Sequence, residues 1–214
     1  MDEETSIIDT NTRNEKIKNF FIKNKKLLIA STIFLILIVI CFYSFQIYKD
    51  NVRKKVSDKY NNAIIEYNSG KKDQIITTLK EVLDYKDSTY SPLALYFIID
   101  NNLINDKKKV NDLFDILIDE TALETEIKNL IIYKKALFNA DQIGELELLN
   151  ILKPLINSES IWKSHALYLV GEFFYDKGET EKAKDFFLKI ISVENPNSEI
   201  LINAQKRLNR DLSD

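Results

Sequence analysis

The sequence predicts an all-α protein, with one N-terminal transmembrane helix followed by a solenoid of helical hairpins. Three observations predict it. Residues 27–45 form an uncharged apolar run, apolar stripes with helical spacing recur throughout the rest of the chain, and Gly and Pro are scarce. The 214 residues hold only 4 Gly and 3 Pro, where ordinary usage of the pair is roughly 12%. That scarcity disfavours β-sandwiches, propellers and glycine-rich phosphate loops, which need special backbone angles. The 30 Ile against 9 Ala point to an AT-rich genome rather than to a structural demand.

The N-terminal tail, residues 1–26, is split in charge. Asp2, Glu3, Glu4 and Asp9 give the first nine residues a charge of -4, and residues 10–59 then carry +8. The remainder carries -7, for a net charge of -3. An acidic body with a basic collar lacks the basic face that phosphate attraction requires, so nucleic acid is not an expected partner.

The span is assigned to residues 27–48. Leu27 to Phe45 contains no charge, Gly or Pro. At ~1.5 Å per residue it nearly covers the ~30 Å of a bilayer core, and Gln46 to Tyr48 can extend it. Phe42, Tyr43, Phe45 and Tyr48 gather at its end, where aromatic rings favour the headgroup region. A buried core helix is the alternative, but such helices seldom lack a polar face for this long. A cleaved signal peptide would be shorter and would end in small residues. An uncleaved signal anchor is therefore expected, with Cys41 as apolar filler inside it. Arg13, Lys16, Lys18, Lys23, Lys25 and Lys26 precede the span, while Lys49, Arg53, Lys54, Lys55 and Lys59 follow it. The local bias is weak, but a long domain translocates largely regardless of its charge. The basic tail is expected in the cytoplasm, with residues 49–214 outside. Ile17, Phe20 and Phe21 between lysines read either as an amphipathic turn on the inner leaflet or as part of a charged flank.

The body, residues 49–214, carries stripes beginning at Ile75, Val110, Leu148 and Ala183, which lie 35, 38 and 35 residues apart. Each stripe continues at helical spacing, as in Val110, Leu113, Phe114, Leu117 and Ile118. Ser69-Gly70, Asn105-Asp106, Ala140-Asp141 and Lys177-Gly178 precede the stripes as turns. Between them lie helices over 56–68, 91–104, 122–139 and 160–176. The body is thus about four helical hairpins plus a C-terminal capping helix over 198–210. A hairpin cannot bury its own apolar face, so this period implies stacking. Pro154 must kink or end its helix.

The fourth hairpin, Ala166 to Glu179 leading into Lys182 to Phe187, resembles a tetratricopeptide repeat. In that resemblance Gly171 is the small residue where the helices cross, and Phe174 fills the aromatic position. Gly178 is the turn, Ala183 the second small position and Phe187 the aromatic after it. Gly171→Leu should then force the helices apart, with Gly171→Ala far milder. In the other hairpins Ile75, Val110 and Leu148 fill the small position, which implies wider crossings.

Chemistry is sparse. A single Cys excludes an intrachain disulfide and a Cys-based zinc site, and a single His disfavours histidine-ligated metals. There is no P-loop, no dinucleotide fingerprint and no nucleophile–base pair, so neither catalysis nor a cofactor is expected. The positive candidate is a peptide groove on the first helix of the fourth hairpin, presenting His165, Tyr168, Glu172 and Tyr175. Tyrosine suits binding because it joins a large contact area to a polar tip. Packing of Tyr168 and Tyr175 against the third hairpin or the cap is the competing reading.

The whole layout is similar to the YfgM-like ancillary subunit of the SecYEG translocon. Lys18-Asn19-Phe20-Phe21-Ile22-Lys23-Asn24-Lys25 before the span, the aromatic exit and the Tyr60-Asn61-Asn62-Ala63 opening of the first repeat helix carry the likeness. It implies a single-pass bacterial inner-membrane protein with a periplasmic tetratricopeptide-like domain. The partners it implies are the SecYEG translocon and a membrane-anchored periplasmic chaperone of prolyl-isomerase type. The expected function is a translocon-associated adaptor or chaperone cofactor. The alternative is a structural scaffold for envelope or cell-division complexes.

Overall fold

A computed structural model describes residues 15–70 and 72–212. The acidic start, Arg13 and Asp214 lie outside the described residues. Among those described, every regular element is helical. Helix α1 covers residues 15–23, α2 Lys25–Asn68, α3 Lys72–Asp84 and α4 Tyr90–Asp100. Helix α5, Lys107–Asp115, runs into a π turn at Ile116–Glu120. Then come α6 Thr125–Asn139, α7 Glu145–Ile156, α8 Lys163–Asp176, α9 Thr180–Ile191 and α10 Ser198–Arg210. The chain divides into two compact units between Lys55 and Val56, past the expected end of the span, because α2 continues without interruption.

In the first unit, the large apolar side chains of α2 from Leu27 to Tyr48 are exposed, apart from the half-buried Leu28. A core helix would bury one face, so the core-helix reading fails here. The helix is long and apolar enough to cross a membrane once. Ile17, Phe20 and Phe21 fall on α1, and all three are exposed.

In the second unit the predicted stripes are the core. Ile75, Leu79, Val82 and Leu83 on α3 are fully buried, as are Leu148, Leu152 and Leu155 on α7 and Ala183, Phe187 and Ile190 on α9. The α9 stripe stops at Ile190, and the next residue, Ile191, is exposed. Pro154 is accommodated in the last turn of α7, which ends two residues later.

Local chemistry sets the ends. Asp106 accepts hydrogen bonds from the backbone N–H groups of Lys108 and Lys109, and Asn197 from those of Glu199 and Ile200. Each satisfies donors that a helix start leaves orphaned. Helix α8 closes on Gly178 at φ 75°, where Gly178 N–H donates to the Tyr175 carbonyl and Glu179 N–H to that of Phe174. This is the paired closure that favours glycine. Helix α4 closes the same way on Asn102 at φ 48°, with Leu103 N–H donating to the Ile98 carbonyl. The helix expected to reach residue 104 therefore ends at Asp100. The stripe through Leu117 and Ile118 also departs from expectation, because its last turn is π rather than α. Thr121 Oγ1 donates to the Ile116 carbonyl across this wider turn, at 3.0 Å.

Side-chain contacts fix the directions of the helices. Asn111 pairs with Asn139 through two amide hydrogen bonds of 2.9 and 2.8 Å, and one turn later on α5 Asp115 meets Lys135, one turn earlier on α6. Helices α5 and α6 are therefore antiparallel. Tyr60 packs on Tyr90 and, two turns further along both helices, Tyr67 on Phe97, so the part of α2 within the second unit, residues 56–68, runs parallel to α4. Polar contacts also join residues about one stripe period apart. The separations are 34 residues for Ser160–Glu126, 36 for Trp162–Glu126, 37 for Lys182–Glu145, 33 for Asn197–Ser164 and 35 for Arg207–Glu172.

Helices α8 and α9 make the most extensive close approach in this unit. Phe174 stacks on Phe186, and Tyr168 packs on Phe187. Lys177, Lys182 and Lys189 lie over the rings of Phe173, Phe174 and Phe186, covering apolar surface with their stems. At the crossing, a Cβ on Gly171 would stand 2.6 Å from Phe187 Cε1 and 2.9 Å from its Cδ1 and Cζ. The Phe187 ring is fully buried, so it must shift to admit even the single methyl group of alanine.

The fragment 50–214 should fold alone, with a helical circular dichroism spectrum and cooperative unfolding; a strand-rich spectrum would contradict this. In that fragment Gly171→Ala should destabilise by up to about 2 kcal/mol, since overpacking costs ~1–3 kcal/mol and helix propensity returns ~1 kcal/mol. Gly171→Leu should cost more. Removing the ring with Phe187→Leu should make Gly171→Ala cheaper than in the parent, which a double-mutant cycle in thermal unfolding reads directly. Additive costs would place the strain elsewhere.

Candidate interaction site

The four candidate residues lie on one helix but in two settings. Tyr168, Glu172 and Tyr175 occupy successive turns of α8 and are all half-buried. Helix α10 supplies what meets them. Arg207 Nε donates to Glu172 Oε1 at 2.8 Å and its Nη2 donates to Oε2, a two-pronged pair. Its guanidinium also lies 4.5 Å from the centre of the Tyr175 ring. The third nitrogen, Nη1, donates to Asp211 Oδ2 at 3.0 Å, and Arg210 Nε donates to Asp211 Oδ1 at 2.9 Å.

Every guanidinium nitrogen of Arg207 is thereby engaged. Planar, delocalised arginine suits this combination of a forked carboxylate pair and a ring face. Side-chain exposures of 26% for Arg207 and 23% for Glu172 place the pair out of most solvent, so it is screened less than a surface pair. Glu172 and Asp211 hold Arg207 firmly protonated, with the Glu172 hydrogen bond the leading cause. The Tyr168 phenol is pushed up first by burial and then by the Glu172 carboxylate, with Arg207 opposing. On the far side of the Tyr168 ring is Phe187, the residue that faces Gly171.

The face expected to be a groove is thus engaged by the C-terminal helix at its polar groups. The competing reading, packing of Tyr168 and Tyr175 against the third hairpin or the cap, describes Tyr175, which meets Arg207 of α10, whereas the Tyr168 ring packs on Phe187 of α9. Arg207 was not singled out in the sequence. Its signal was present, a cation one stripe period after an acid, but a charge on a polar capping helix carries no direction by itself.

His165 stands apart, two turns from Glu172 toward the start of α8. Its ring meets Trp162 and Tyr133, with centroids 5.0 and 5.7 Å away. Trp162 stacks on Tyr133 and donates Nε1–H to the Glu126 carbonyl at 3.1 Å. Burial lowers the pKa of His165, opposed by the Ile161 carbonyl and by Glu199. Its Nδ1 has no hydrogen-bond partner. A cleft of about 340 Å³ opens beside it, lined by Ile161, Trp162, His165, Asn195 and Asn197. The structure thus brings Tyr168, Glu172 and Tyr175 together and places His165 in a separate aromatic cluster. Among the described residues no group of His, Cys, Asp and Glu side chains is arranged to hold a metal ion.

No family model matches this chain, and neither a curated protein nor a solved structure matches it.

Removing Arg207 should loosen α10. Arg207→Ala is expected to cost about 1–3 kcal/mol, the scale of hydrogen bonds to charged groups. Lysine, a point charge without a fork, should restore only part of it. Equal stability of Arg207→Ala and the parent in thermal unfolding would remove this pair from the docking of α10. Acid should act in the same direction. Hydrogen bonds from Arg210 and Arg207 lower the Asp211 pKa. Its contribution is therefore present above the unfolded value of about 3.9 and is lost as pH falls through the lower folded value. Asp211→Asn should flatten that acid limb of the unfolding profile.

Proposed function

We propose that this chain is a non-enzymatic, membrane-anchored protein-interaction module, acting as a Sec translocon-associated adaptor or periplasmic chaperone cofactor. Its hairpins would stack as a tetratricopeptide-like solenoid. The observation that carries this reading is the set of polar contacts 33 to 37 residues apart in the second unit. Contacts at a near-constant spacing are what stacked repeats make, because equivalent positions of successive hairpins become neighbours. The Gly171–Phe187 crossing adds the close helix approach that the repeat resemblance implies. Such stacks present extended surfaces and are used to hold other proteins.

On this reading α2 anchors the chain in the bacterial inner membrane. The basic flank from Lys16 to Lys26 stays in the cytoplasm and residues 49–214 face the periplasm. The partners are the SecYEG translocon and a membrane-anchored chaperone of prolyl-isomerase type, both from the sequence resemblance. A peptide would engage the ring faces of Tyr168 and Tyr175 that α10 leaves half-exposed.

Crosslinking in native membranes, followed by identification of the captured proteins, tests the assignment. Translocon or chaperone subunits should dominate; division or cell-wall proteins in their place would make the chain a structural scaffold. A reporter fused after Asp214 that is active only outside the cytoplasm should be active. Silence there, with activity of a cytoplasmic reporter at the same site, would reverse the topology.

A further inference from the structure

We propose that the cleft at the start of α8 binds an uncharged, extended segment of a partner protein. One aliphatic side chain of that segment lies against Ile161 and Trp162, and its main chain bonds the side-chain amides of Asn195 and Asn197. The proposal rests on reading the second unit as a protein-interaction module, and gives that module a contact separate from Tyr168 and Tyr175. The cleft measures about 340 Å³ and is lined by Ile161, Trp162, His165, Asn195 and Asn197. The lining holds no acid, lysine or arginine. Burial lowers the His165 pKa, so its ring is neutral at neutral pH. A charged ligand group would therefore lose hydration here without gaining an ion pair.

Both walls are held in place by the protein itself. On the first, Ile161 is 66% exposed. Beside it Trp162 is fixed, because its indole N–H donates to the Glu126 carbonyl at 3.1 Å and its ring stacks on Tyr133. The second wall is the loop between α9 and α10. Asn195 stands at φ 55°, a left-handed conformation, and the next residue is Pro196, ahead of which a chain is normally extended. The loop thus bends against local preference where Asn195 and Asn197 come to one cleft. Asn197 N–H donates to Ser164 Oγ at 3.3 Å, which ties the loop to α8. Walls that are already ordered lose less freedom when a ligand enters.

The polar groups of the second wall are unspent. Asn197 Oδ1 accepts from the N–H groups of Glu199 and Ile200, but among the described residues nothing accepts from its Nδ2. The Asn195 side chain makes no hydrogen bond among them. A side-chain amide carries both a donor and an acceptor, the pair that a peptide group also presents. A purely aliphatic ligand would bury these amides unpaired. A sugar ring needs a free aromatic face, and Trp162 already gives one to Tyr133 and meets His165 as well. A neutral peptide with one aliphatic residue satisfies both walls at once.

Trp162 is the single tryptophan of the chain, so its emission reports on this cleft. The whole chain in mild detergent is titrated with a terminally blocked, uncharged hexapeptide of serine and threonine around one leucine. The emission should change saturably. Replacing the peptide's leucine by serine should weaken binding about tenfold, the scale of burying one such side chain. Ile161→Ser should weaken the leucine peptide to a similar extent. Asn195→Gly removes the amide but suits the left-handed backbone, and should weaken it about fivefold, the scale of one hydrogen bond. Leu146→Ser, at an exposed leucine on α7, should change nothing. An absent response, equal binding of the leucine and serine peptides, or parent-like binding in either Ile161→Ser or Asn195→Gly overturns the site. Saturation by N-acetylglucosamine oligomers with none by the peptide makes the cleft a glycan site and equally overturns it. Crosslinking in native membranes separates this site from the wider reading. Translocon or chaperone capture by a chain whose Trp162 does not respond refutes only the cleft, whereas failure of both refutes the interaction module as well.

Discussion

A short amphipathic helix has an apolar stripe that it cannot bury alone, and the second unit is organised by that constraint. The stripes on α3, α5, α7 and α9 are apolar, and neighbouring helices bury them. Burial of Ile75, Leu79, Leu148, Leu152 and Phe187 to completion shows how far this is met. At ~25 cal/mol per Å² of apolar surface, such burial outweighs any single polar contact. The polar contacts do something different. Several of them join residues 33 to 37 apart, with Glu145–Lys182 and Glu172–Arg207 as ionic examples.

The fourth hairpin is where packing is tightest and where the polar face is most engaged, and the two facts are linked through one ring. Phe187 occupies the space that Gly171 leaves free, and Tyr168 packs against the same ring. Tyr168 lies near the Glu172–Arg207 pair, which brings in Tyr175 and Asp211. A change at Gly171 therefore bears on the docking of α10 as well as on the α8–α9 crossing. The aromatic cluster of Trp162, Tyr133 and His165 plays the corresponding part at the other end of α8, joining it to α6.

In the first unit the large apolar side chains of a helix long and apolar enough to cross a membrane are turned outward, an arrangement that in water would be an aggregation hazard. Lysines bracket the apolar run at both ends, and the aromatic residues from Phe42 to Tyr48 lie only at its second end.

The sequence by itself determined the helical class, the long apolar N-terminal helix and the approximate places of the other helices. Periods of helical spacing and turn residues such as Gly178 and Asp106 act locally, so they are written in neighbouring letters. Through the resemblance of the fourth hairpin to a tetratricopeptide repeat it also marked Gly171 as a crossing. Only the tertiary structure decided how tight that crossing is, since the answer depends on where the Phe187 ring comes to rest. It decided that α4 closes on Asn102 at Asp100, and that the turn after α5 is π, where local propensity is nearly balanced. It also decided that Glu172 and Tyr175 meet Arg207. Charges on two amphipathic helices state that each has a polar side, but which polar sides face each other follows from how the apolar sides pack.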